Sequence, residues 1–94
     1  MATLITTHDA LHEVTPDNGT DFTLEELYAL IGCEMVEALY LPDGRTMWID
    51  EEGKLSSPPR PKNYHATRLA RLAGIADDDY IAGTALVCAE GEVL

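Results

Sequence analysis

The stretch F-T-L-E-E-L-Y-A-L-I-G, residues 22–32, carries the clearest structural signal in the chain. Thr23 is a favoured N-cap, and Glu26 three residues later completes a capping box, so a helix is predicted to begin after Thr23. Gly32 supplies the left-handed stop at its end. Apolar side chains recur at i, i+3, i+4 and i+7, which predicts one stripe packed on a core. The stripe consists of Leu24, Leu27, Tyr28 and Ile31.

Strand-like segments lie on both sides of this helix. Residues 3–7 and 11–15 are rich in Thr, Ile and Val and predict a first hairpin. Residues 33–41 alternate between two faces and are followed, after L-P-D-G, by R-T-M-W-I-D. This pattern is typical of a second hairpin with a Pro-Asp-Gly turn.

A second helix and a final strand complete the chain. Asn63 is a suitable N-cap for a helix that extends to about Ala73 and stops at Gly74. Its predicted buried residues are Ala66, Leu69, Ala70 and Ala73. Residues 80–89 are small and apolar on both faces, which indicates a central strand that is covered on both sides. The order β-β-α-β-β-α-β predicts a two-layer α+β domain, with a mixed sheet of about five strands and both helices on one face.

The composition indicates one small, folded, acidic domain over residues 1–94. Hydrophobic residues make up 46% of the 94 residues, which argues against disorder despite a net charge of −11. No apolar run approaches the length of a membrane span, and no secretion signal is evident, so a location in the cytosol of the host cell is expected. The acidity disfavours direct DNA or RNA binding.

Four of the six basic residues are concentrated between Pro58 and Gly74, a region called the basic segment below. A helix N-terminus after Asn63, next to arginine and lysine side chains, predicts an anion or nucleotide site. The candidate ligand-binding residues are Arg60, Lys62, Asn63, Tyr64, His65, Arg68 and Arg71. Two alternatives remain open: these charges balance nearby carboxylates on a helix surface, or they form the rim of an interface centred on Met47, Trp48 and Tyr64.

Other residue types give weaker signals, and no cofactor, metal or catalytic residue is predicted. His8 and His12 are four residues apart, a spacing that places two metal ligands on one face of a helix. They flank a predicted turn, however, and no further ligands are indicated. Cys33 and Cys88 lie in apolar, strand-like surroundings and are interpreted as core residues. The acidic runs at residues 50–52 and 77–79 are interpreted as solvated turn charges. The chain is therefore expected to be non-enzymatic.

Four segments, taken in this order, resemble a family of small proteins from bacteriophages and bacterial mobile elements, the domain of unknown function 3846. They are D-N-G-T-D-F-T-L-E-E-L-Y-A-L-I-G, Y-L-P-D-G-R-T-M-W-I-D-E-E-G-K-L, N-Y-H-A-T-R-L-A and D-Y-I-A-G-T-A-L-V-C. The resemblance covers nearly the whole chain. It implies a short accessory protein of a phage or plasmid, with no catalytic residues to carry over.

These observations predict a protein that binds and inhibits or sequesters a host target, in the setting of counter-defence. The expected partner is a host protein or a small nucleotide signal, and a homodimer is compatible with the small core. Three alternatives remain: a nucleotide sponge that uses the basic segment, a DNA mimic, and an assembly factor without a discrete ligand. An inhibitor of a host protein or a DNA mimic would require acidic residues such as Glu25, Glu34, Glu37 and Asp50 to cluster on one face.

Overall fold

The computed structural model describes residues 2–8, 10–55 and 58–93 and contains five strands and two helices. The elements are β1 (Ala2–Ile5), β2 (Leu11–Val14), α1 (Leu24–Ile31), β3 (Val36–Tyr40), β4 (Thr46–Asp50), α2 (Tyr64–Leu72) and β5 (Ala85–Cys88). This order and the α+β class confirm the sequence prediction. Neither helix is long and apolar enough to cross a membrane, within the residues that the structure describes.

The five strands form a single sheet in the order β2-β1-β5-β4-β3, and every neighbouring pair is antiparallel. The prediction of a mixed sheet was therefore wrong. Two tight hairpins, β1–β2 and β3–β4, form the two halves of the sheet, and β5 inserts between them antiparallel to both β1 and β4. Among the described residues, β2 and β3 are therefore the two edge strands of the sheet.

The two helices cover opposite faces of the sheet, so the prediction of two layers with both helices on one face was also wrong. On one face, Ala66 and Ala70 of α2 pack in a cluster with alternate strand residues such as Met47 and Val87. On the other face, α1 packs in a second cluster with Leu86 and with other strand residues that point away from the first cluster. The reason is β5 itself, since all four of its residues are buried and an apolar strand needs cover on both faces.

Helix α1 begins and ends as its sequence predicts. Thr23 accepts a hydrogen bond from the Glu26 amide at 3.2 Å, and the Glu26 carboxylate accepts one from the Thr23 amide at 2.9 Å. Gly32 closes the helix at a φ of 77°. The predicted apolar stripe is only partly right, because Leu24 is 50% exposed while Leu30 packs against the core.

Strand β5 is shorter than the predicted 80–89 because residues 81–83 pair elsewhere. The Asn63 amide donates to the Ile81 carbonyl at 2.8 Å, and the Gly83 amide donates to the Pro61 carbonyl at 2.8 Å. Gly83 then adopts a φ of 87°, which interrupts the extended backbone before β5 begins. The loop that precedes α2 is thereby attached to the centre of the sheet.

Candidate binding surfaces

Asn63 is a buried structural residue and is inaccessible to a ligand. Its side chain is fully buried, and its Oδ1 accepts a hydrogen bond from the Ala66 amide at 3.0 Å, as an N-cap should. Its Nδ2 donates to the carbonyls of Ile5 and Gly83, each at 3.0 Å. The prediction of an N-cap is confirmed, but the amide group ties α2 to β1 and to the segment before β5, so the assignment of Asn63 to an anion site was wrong.

Arg60 also holds the fold together. Its Nε lies 2.8 Å from Oδ2 of Asp50, and only 9% of the Asp50 surface is exposed. The N–H is not directed at the oxygen, so this contact is an ion pair without an aligned hydrogen bond. One Nη donates to the carbonyl of Gly32 at the end of α1. Arg60 thus connects the loop before α2 to β4 and α1, and Asp50 is not the solvated turn charge that the sequence predicted.

The remaining basic residues of this segment make different contacts, and none of these contacts is shared between two of them. The ammonium of Lys62 lies 5.1 Å from the ring centre of Tyr80 and 5.4 Å from that of Tyr64, distances that allow cation–π attraction. Arg71 donates to the backbone carbonyl of Asp77 at 3.2 Å. Arg68 is exposed and His65 is half-buried on α2. Arg60 lines one of the two clefts described below, and neither cleft is lined by Lys62, His65, Arg68 or Arg71.

The predicted interface of Met47, Trp48 and Tyr64 is not assembled. Met47 is fully buried beneath α2, and Trp48 belongs to the cluster on the α1 face of the sheet. Tyr64 is 62% exposed, at the first position of α2 on the opposite face. Alternation along β4 separates Met47 from Trp48, a consequence of strand geometry that a list of apolar residues does not reveal.

The two cysteines have the character of core thiols. Burial raises the pKa of Cys88 to about 12, and Glu92 adds to this effect. Burial is also the main reason that the pKa of Cys33 is raised, and the negative charge of Asp50 is the second. Both groups are therefore protonated at neutral pH and are weak nucleophiles.

Within residues 2–8, 10–55 and 58–93, no group of three His, Cys, Asp or Glu side chains is placed to hold a metal ion. His8 and His12 are exposed in the first hairpin.

A different group of exposed residues forms a charged surface, which we call the acidic end. It comprises the exposed carboxylates of Glu34, Glu37, Glu51 and Glu52, together with Met35 and Leu55. The hairpin register brings these residues together, since Val36 is opposite Asp50 and the Glu51 amide donates to the Met35 carbonyl at 3.1 Å. Met35 is 48% exposed and Leu55 is 79% exposed.

Two clefts open at the acidic end, one on each face of the sheet. The cleft on the α2 face, of about 240 Å³, is lined by Glu37 and Glu51, and the cleft near the end of α1, of about 500 Å³, is lined by Glu34 and Glu52. Leu55 lines both. None of these four carboxylates makes an ion pair within the described part of the chain.

Helix α1 ends beside this surface, and the Arg60 guanidinium that donates to the Gly32 carbonyl offsets part of the negative charge there. The C-terminus of α1 carries the partial negative charge of the helix dipole, and its last turn contains no basic residue. Glu34 follows two residues after the C-cap, a position that helix energetics alone disfavours. From the sequence, Glu34 and Glu37 were predicted to share an acidic face with Glu25 and Asp50, on a protein inhibitor or a DNA mimic. That set is not assembled as predicted, because Asp50 is buried and Glu25 lies at the opposite end of α1.

The fold and its surfaces define a small α+β domain with a central antiparallel sheet and two clefts, each lined by apolar residues, several carboxylates and one basic residue. The chain belongs to the family described as domain of unknown function (DUF3846), whose model matches residues 2–93. This match confirms the family suggested by the sequence segments. Comparison with curated proteins and with solved structures gave no match.

Proposed function

We propose that this protein is a non-enzymatic binding protein that docks its acidic end on a basic surface of a host protein and thereby inhibits or sequesters it. One observation carries the proposal. Four exposed carboxylates that make no ion pair with other described residues share one end of the sheet with two exposed apolar side chains: Leu55 lines both clefts with them, and the Met35 carbonyl accepts from the Glu51 amide. An apolar centre with a charged rim is the usual composition of a transient protein interface.

The charge distribution supports a basic partner. Opposite charge steers diffusional encounter, and a surface with a net charge of −11 repels nucleic acid and acidic proteins. The resemblance to proteins of phages and mobile elements supports a role inside a bacterial host, where counter-defence is the role that we propose. A nucleotide partner is less favoured, because the fold uses Arg60 and Asn63 internally.

Two variants of equal charge test the proposal. The first replaces Glu34, Glu37, Glu51 and Glu52 by glutamine, and the control replaces Glu13, Asp17, Glu25 and Glu90 by the corresponding amides. Each removes four exposed carboxylates, so only their location differs. Each protein is immobilised, exposed to host lysate, and its captured partner is quantified by mass spectrometry.

We expect the wild type and the control to capture the same partner. The acidic-end variant should capture at least about tenfold less of it, since four favourable charge contacts disappear. Capture should also weaken with added salt because exposed charges are screened. Equal capture by the two variants would refute the acidic end as the docking surface.

A further inference from the structure

We propose that strand β3 receives an extended segment of the partner as a sixth strand, with basic and apolar residues in alternation. This inference rests on the proposed function and specifies how the acidic end would recognise its partner. Strand β3 is at the end of the sheet order, so its outer side has no neighbouring strand among the described residues.

The backbone groups at this open edge can be identified from the hairpin. The Leu41 amide donates to the Arg45 carbonyl at 2.9 Å, and the Met35 carbonyl accepts from the Glu51 amide at 3.1 Å. Odd-numbered residues of β3 therefore direct their backbone groups toward β4. Because these directions alternate along a strand, the N–H and C=O groups of Val36, Ala38 and Tyr40 point outward.

The two faces of β3 differ in chemistry, and this difference defines the ligand. On the α1 face, β3 presents Val36, Ala38 and Tyr40, of which Tyr40 is 75% exposed. On the α2 face it presents Glu37 and Leu39, beside the cleft that Glu51 also lines. A sixth strand would place alternate side chains on these faces. Apolar residues fit the first face. Lysine or arginine fits the second, with its methylene groups on Leu39 and its charge near the carboxylates.

The charge of the edge selects between partners. Open edges invite pairing with another copy of the same chain, and natural proteins prevent this with charges, prolines or bulges. Strand β3 contains no proline, and one of its five residues, Glu37, is charged. In a pair of identical β3 strands, the two Glu37 side chains and two acidic ends would repel one another. A basic strand would instead be attracted.

The opposite edge, β2, lacks this division. Its faces carry Leu11 with Glu13 and His12 with Val14, so each face combines an apolar with a polar residue. The Thr6 amide donates to the Ala10 carbonyl at 3.0 Å, which places the backbone groups of Leu11 and Glu13 on the outer side. Leu11 is thus an uncharged control position that corresponds to Ala38.

The test uses two ten-residue peptides of equal charge, one of alternating lysine and valine and one of alternating lysine and proline. Proline has no N–H and cannot complete a strand ladder. Affinities are measured by titration calorimetry, and amide hydrogen exchange is followed by NMR in the wild type, Ala38→Pro and Leu11→Pro proteins. Proline at an outward-facing edge position removes no ladder hydrogen bond, so both variants should fold.

We expect the lysine–valine peptide to bind at least about tenfold more tightly than the lysine–proline peptide. It should slow exchange of the Val36, Ala38 and Tyr40 amides. Ala38→Pro should abolish this preference and Leu11→Pro should retain it.

If both peptides bind the acidic end equally and the β3 amides exchange unchanged, strand addition is wrong while the proposed function stands. Protection of the β2 amides instead would also refute it. If neither peptide binds, both proposals fail. Should Ala38→Pro fail to fold, the exchange pattern of the wild type decides the question alone.

Discussion

Arg60 and Glu52 border the same cleft, yet the fold uses only one of the two charges. Arg60 is paired with the buried Asp50 and bonded to the end of α1, whereas the Glu52 carboxylate makes no contact of this kind with other described residues. The contrast extends to Lys62 and Arg71 of the basic segment, which contact aromatic rings and a backbone carbonyl, but not to the exposed Arg68. Charges that the fold already satisfies contribute to stability, while charges left exposed and concentrated are available to a partner.

Asn63→Ala should produce the largest loss of stability. The change removes an N-cap and the two buried hydrogen bonds that the amide group donates to the carbonyls of Ile5 and Gly83, for an expected loss of about 3 kcal/mol in the free energy of unfolding. Asn63→Asp separates the two roles, because aspartate is an equally good cap but cannot donate to the carbonyls of Ile5 and Gly83. Urea unfolding should find both variants strongly destabilised. A fully stable Asn63→Asp protein would show that the cap alone matters.

Arg60→Ala should rank second, with a loss of about 2 kcal/mol. The substitution leaves the Asp50 carboxylate buried without its cation, and part of the guanidinium is solvated, so the cost is below that of a fully buried pair. Combining it with Asp50→Asn should recover part of the loss, as a double-mutant cycle would measure. Additive effects would contradict the ion pair as a stabilising contact.

The sequence was sufficient to predict the elements whose signals are local. Caps at Thr23 and Asn63, the stop at Gly32 and both hairpins depend on neighbouring residues, and all are present. Sheet order and the side on which each helix packs depend on long-range contacts, and these were either unpredicted or wrong. The two apolar faces of β5 did predict cover on both sides, which is inconsistent with the predicted placement of both helices on one face.

The candidate site was harder to predict for a related reason. A run of basic residues is visible in one dimension, but whether Arg60 has a partner depends on Asp50, which lies ten residues earlier and is buried. The acidic end joins residues from either side of a hairpin, and only its register brings Glu34 and Glu37 near Glu51 and Glu52. Sequence reasoning had therefore no local signal for that surface.

The capping box should make stability depend on pH. Hydrogen bonds from the backbone amides of Asp17 and Thr23 lower the pKa of Glu26. A lowered pKa stabilises the folded state above the unfolded pKa of about 4.3, and this stabilisation is lost as pH falls through the folded pKa. Glu26→Gln should therefore be less stable than wild type at pH 7, and the difference should shrink on acidification. Glu25→Gln is the control, and an equal pH dependence in both variants would contradict the assignment.

The smallest effects are expected at the surface of α2 and at the acidic end. Arg68→Ala with Arg71→Ala should change the free energy of unfolding by no more than about 0.5 kcal/mol, since both side chains are exposed. Neutralising the acidic end should leave thermal stability unchanged or slightly higher, because it relieves repulsion between like charges. A loss of several degrees in the melting temperature would show that these carboxylates stabilise the fold.

The most direct test of the contrast is amide chemical-shift mapping of the wild-type protein with the lysine–valine peptide and, separately, with ATP as a nucleotide probe. If the acidic end is the binding surface, the peptide will shift the amides of residues 34–40 and 51–55 in a saturable manner, and ATP will leave residues 60–71 unaffected. Saturable shifts in residues 60–71 with ATP, and diffuse shifts with the peptide, would contradict the account and restore the basic segment as the site.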